Sequence, residues 1–85
     1  MKQQVENFHV IHVTYHNPTN TKPGRLKLKS LRFHEYIWLS RADNDYWYND
    51  AVDWLIENGF DITGQAEYPG NGMLFFTRTF KSLKK

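Results

Sequence analysis

The sequence predicts an α+β domain: a twisted antiparallel sheet of about five strands (β-β-β-α-β-β) with one amphipathic helix packed on one face. Three observations predict it. Period-two alternation recurs along the chain, helical spacing occurs in a single stretch, and Pro, Gly and Asn clusters separate the segments. The 85 residues suffice for one domain, 1–85, with an ordered core over about 8–80.

The first strand reads Val10-Ile11-His12-Val13-Thr14-Tyr15-His16, with Ile11, Val13 and Tyr15 on one side and His12, Thr14 and His16 on the other. Asn17 to Gly24 consists of turn-formers and reads as a loop. Arg25-Leu26-Lys27-Leu28-Lys29 alternates again, leucines inward and cations outward. Leu31 and Phe33 continue the apolar positions one residue late, so a bulge is expected near Ser30. Glu35 to Arg41 is the third strand, with Ile37 and Leu39 opposite Tyr36, Trp38 and Ser40.

Asp43 or Asp45 is placed to cap a helix whose stripe Tyr48, Ala51, Val52, Leu55 follows helical spacing. Trp47 should join it against the sheet, with Trp54 or Ile56 at the margin. Asn58-Gly59-Phe60 is a stop, because glycine takes the left-handed conformation and Phe60 can fold back on the last turn. Two strands follow around the turn Pro69-Gly70-Asn71-Gly72. Ile62, Gly64, Ala66 and Tyr68 are expected on one face of the first. In the second, Leu74 and Phe76 are expected under the helix, with Met73, Phe75 and Thr77 outward. The tail from Lys81 to Lys85 is expected to fray.

The net charge of +2 conceals a sign split. Residues 1–41 carry +5, residues 42–61 carry −6 and residues 62–85 carry +3. The acids thus fall on the helical segment and the bases on the strands. Zero cysteines exclude a disulfide framework and a thiolate zinc site. No apolar run approaches the ~20 residues of a membrane span, and the start lacks the apolar stretch of a signal peptide. A soluble protein of the cytoplasm, without membrane contact, is expected.

If the helix covers one sheet face, the other carries cations beside rings. Phosphates meet Lys and Arg while bases stack on aromatics, so this pattern points to nucleic acid. The candidate nucleic-acid-binding residues are Lys22, Arg25, Lys27, Lys29, Tyr36 and Trp38; the ordinary alternative is a solvated or dimer-forming face. The Thr19-Asn20-Thr21-Lys22 loop adds hydroxyls and a cation suited to phosphate. A second candidate surface is the acidic helix side, Asp50, Asp53 and Glu57, which suits a basic protein partner, although such runs also serve as solvated helix faces. His12 and His16 do not make a metal pair, because on a strand they stand about 13 Å apart. No motif nominates a nucleophile with its base, a cofactor or a metal site, so a non-enzymatic role is expected.

Val13-Thr14-Tyr15, leading through Pro18-Thr19-Asn20-Thr21-Lys22 to Arg25, resembles small proteins of phages and bacterial mobile elements. The run from Ala51 to Gly64 is similar to their helix, Gly-Phe stop and following strand. The likeness covers roughly residues 11–66 and departs from the pattern at Pro23-Gly24, where those proteins have Gly-Ser. The resemblance implies a small accessory protein of the host cytoplasm, acting by binding nucleic acid, a nucleoprotein or a host defence complex. It carries no catalytic activity. An anti-CRISPR or anti-restriction type of inhibitor, acting through the acidic helix, is the alternative it leaves open.

Overall fold

A computed structural model describes residues 7–16, 24–40, 47–70 and 72–84. Five strands, β1 (His9–His16), β2 (Arg25–Ser30), β3 (Glu35–Ser40), β4 (Ile62–Tyr68) and β5 (Gly72–Thr77), form one antiparallel sheet in the order β3-β2-β1-β5-β4. One helix, α1 (Asn49–Glu57), covers one face, which makes the fold α+β. Because β3 and β4 are opposite edges, the connection through α1 runs from one side of the sheet to the other.

The core lies under the helix. Ile11, Val13, Leu26, Leu28 and Phe75 are fully buried from the sheet, and Ala51 and Leu55 meet them from α1. Trp47, Tyr48, Val52 and Trp54 pack around that contact, while Ile56 stays exposed. The helix ends as the Asn58-Gly59-Phe60 signal predicts. Gly59 sits at φ +86°, its N–H donates to the Ile56 carbonyl, and the Phe60 N–H donates to the Leu55 carbonyl at 2.9 Å. Phe60 is then buried against Trp54, closing the last turn with an apolar contact.

Four expectations are corrected. Leu74 and Phe76 lie on the open face, and Met73, Phe75 and Thr77 lie under the helix, since Phe75 pairs with Ile11 and Met73 with Val13. Met73-Leu74-Phe75-Phe76 is apolar throughout, so alternation could not set its phase; pairing with β1 does. The slip after Lys29 is a four-residue turn, 31–34, closing the β2–β3 hairpin, with His34 at φ +54°. A bulge does exist between Ile62 and Gly64, and it separates Ile62 from the face shared by Gly64, Ala66 and Tyr68.

The tail is docked rather than frayed. Leu83 is buried in the core, and the Glu35 carboxylate accepts from the Ser82 hydroxyl at 2.6 Å and the Leu83 N–H at 2.5 Å. Lys81 donates to the Asn58 carbonyl. The caps expected at Asp43 and Asp45 fall outside the described residues; α1 as described begins after Tyr48, with no side-chain cap bond.

Candidate functional site

On the open face, strand alternation and register bring the predicted cations and rings together. Arg25, Lys27 and Lys29 project from β2, and their cross-strand neighbours on β3 are Ser40, Trp38 and Tyr36. On the other side the same three residues face His16, Thr14 and His12 of β1. The Arg25 guanidinium lies 4.0 Å from the Trp38 ring centre, and the Lys27 ammonium lies 4.5 Å from that of Tyr36. His16 meets Trp38 edge-on at 4.9 Å, and its Nε2 is 3.2 Å from the Thr14 hydroxyl.

Cation–ring contacts at exposed sites contribute roughly 0.5–1 kcal/mol each, enough to hold the charges over the sheet. Trp38 and Tyr36 remain 39% and 49% exposed and therefore retain ring surface for a ligand. Among the described residues this face carries no Asp or Glu: Glu35 and Glu67 both project from the helix side. Five of the six predicted residues thus form one cluster, whereas Lys22 falls outside the described residues.

Beside the cluster runs a groove of about 470 Å³, with Lys27 and Lys29 on one wall, Tyr68, Pro69 and Gly70 on the other, and His12 and Thr14 between. His12 meets Tyr68 at a tilt of 54° with ring centres 4.6 Å apart, and its buried Nε2 has no hydrogen-bond partner among the described residues. Burial, and secondarily the charge of Lys29, lowers the pKa of His12 below the ordinary histidine value. Gly72 makes room for this arrangement: a Cβ there would lie 3.1 Å from His12 Nε2 and 3.2 Å from Tyr68 Cβ. A larger hollow of about 850 Å³ on the helix side, bordered by Trp47, Tyr48, Glu67 and Met73, has no cation in its lining among the described residues.

Tyr68 escapes sequence reasoning as a site residue, because its place depends on the β4–β5 register and on the absent side chain at Gly72. The acidic candidates lie on the helix layer, with Asp53 and Glu57 exposed and Asp50 half-buried.

Sequence reasoning also missed a Ser–His pair. His9 Nε2 is 2.7 Å from Ser30 Oγ, and His9 Nδ1 donates to the Thr79 carbonyl at 2.8 Å. The contacts are those of a nucleophile, a base and an orienting acceptor, yet both side chains are fully buried and no substrate could reach them. Ser30 Oγ also accepts the Phe33 N–H at 3.1 Å, so the pair ties the β2–β3 turn to the tail. Among the described residues no three His, Asp or Glu side chains gather as metal ligands, and no helix is long and apolar enough to cross a membrane.

No protein-family model matches the chain, and no curated protein or solved structure matches it.

Proposed function

We propose that the protein is a non-enzymatic binding module that contacts nucleic acid, free or in a nucleoprotein, through its open sheet face. The observation that carries this reading is the grouping of Arg25, Lys27 and Lys29 with Tyr36 and Trp38 on a face without a described carboxylate. Cations neutralise phosphates and release counterions, while exposed rings offer stacking surfaces to bases. The resemblance to small phage and mobile-element proteins supplies the setting, an accessory protein in the host cytoplasm. Lys22 stays a candidate phosphate contact on its chemistry alone.

The test is fluorescence anisotropy with labelled single- and double-stranded DNA and RNA at about 50 and 200 mM salt. Binding should weaken steeply with salt, and the Lys27→Glu/Lys29→Glu variant should lose it. Undiminished affinity in that variant would end the proposal.

The exposed Asp53 and Glu57 favour a second reading, in which α1 meets a basic surface of a host defence protein. Capture of such a partner that survives charge reversal at Asp50, Asp53 and Glu57 would eliminate it.

A further inference from the structure

We infer that the ligand of the open face is a single strand laid across the β-strands, with one base at Trp38 and another at Tyr68. This rests on the nucleic-acid reading above and adds to it a second stacking residue, a direction and a minimum length.

The register carries the inference. Trp38 is opposite Lys27, Lys27 opposite Thr14, Thr14 opposite Gly72, and Gly72 opposite Tyr68. These five residues form one straight row from edge to edge of the sheet, all on the open face. An exposed ring stands at each end, a cation sits next to the first, and the two smallest side chains lie between. The row is therefore a trough with aromatic rims rather than a flat surface.

Its dimensions suit one strand. Four inter-strand gaps of about 4.8 Å separate the rims by about 19 Å. A stretched nucleotide step of about 6 Å, roughly twice the stacked rise of 3.4 Å, covers that in about three steps, or four nucleotides. Paired bases in a duplex are stacked on one another and offer no free ring face to either rim. Single-stranded bases can splay outward and do.

Charge follows the same path. Lys27 lies in the row and Lys29 in the next, on the wall of the groove of about 470 Å³ facing Tyr68. Phosphates between the two stacked bases then pass over these ammonium groups. At the first rim Arg25 already lies over Trp38, and guanidinium planes stack bases as rings do, so that end keeps a flat partner. At the second, Tyr68 is 49% exposed and meets the His12 ring at 4.6 Å, beside the space that Gly72 leaves open.

The experiment is a length series, labelled dT2 to dT10 and the matching uridine oligomers, read by anisotropy at about 50 mM salt. Affinity should step upward at about four to five nucleotides, where both rims become reachable together. Tyr68→Ala should remove that step, weakening dT8 by about 5- to 100-fold, the loss of one stacked base. Tyr68→Phe should restore the step, which a merely structural role for the hydroxyl would not do. Tyr68→Leu, apolar but without a planar face, should resemble Tyr68→Ala and guards against a folding defect. A length series unchanged by Tyr68→Ala, with Lys27→Glu/Lys29→Glu still abolishing binding, would overturn the trough and leave the nucleic-acid reading standing. Preference for a duplex of equal charge would also overturn it. Failure of the wild-type protein to bind any oligomer would remove both.

Discussion

His9 and His12 stand three residues apart on β1 and face opposite layers of the sheet. His9 is sealed among Phe33, Phe60 and Phe80, and both its nitrogens are used, one by the Thr79 carbonyl and one by Ser30. His12 borders an open groove with cations around it, and its Nε2 has no partner among the described residues. The contrast extends to the faces themselves. Under the helix, buried polar groups are paired to the protein's own backbone and side chains. On the open side, Arg25 and Lys27 rest on the rings of Trp38 and Tyr36 instead of on carboxylates, with Lys29 exposed beside them. One face therefore carries the stability, and the other keeps charge and aromatic surface in reserve for a ligand.

That division can be broken from the stability side first. Leu55→Ala removes a fully packed side chain from the helix–sheet contact and should cost about 2–5 kcal/mol, most of the stability of so small a domain. Urea denaturation reads this directly. Ser30→Ala leaves His9 Nε2 and the Phe33 N–H without a buried partner and should cost about 1–3 kcal/mol, visible as a lower urea midpoint.

The open side should respond in the opposite sense. Lys27→Glu/Lys29→Glu should shift the urea midpoint little, within about 0.5 kcal/mol, while removing nucleic-acid binding. A large loss of stability there would dissolve the comparison.

The smallest effect concerns acid. The Ser82 hydroxyl, followed by the Leu83 N–H and the charge of Lys84, holds the Glu35 pKa below the usual carboxylate value. A depressed folded-state pKa contributes stability above the unfolded value, and that contribution is lost as pH falls through the folded one. Tail docking should therefore loosen only below the ordinary glutamate range. Amide exchange at Leu83 against pH measures it, and in Glu35→Gln the acid-dependent step should vanish.

Much of this was legible in the residues, and the exceptions have physical causes. Alternation placed β1, β2 and β3 with their faces, because Ile11 and Val13, Leu26 and Leu28, and Ile37 and Leu39 each repeat at a spacing of two. The same rule failed at β5, where both faces are apolar and only the pairing of Phe75 with Ile11 decides. The basic cluster was readable because Lys27, Tyr36 and Trp38 belong to adjacent strands of one hairpin. Tyr68 was not, since His12, which it meets, comes from β1 far away in sequence, and the face of β5 beside it is set only by pairing with β1. The docked tail was equally hidden: Lys81-Ser82-Leu83-Lys84 has the composition of a loose end, and its anchor is a carboxylate 47 residues earlier.

One seam beside the central strand joins β1 to β5, the first and last of the described strands in chain order. During synthesis the β1–β2–β3 meander leaves the ribosome with one backbone edge of β1 unpaired, and it waits for residues beyond Gly72. Such an edge is a template for other chains while it remains open. Nascent chains halted before Gly72 should be protease-sensitive along β1, and emergence of β5 should close the seam in one cooperative step.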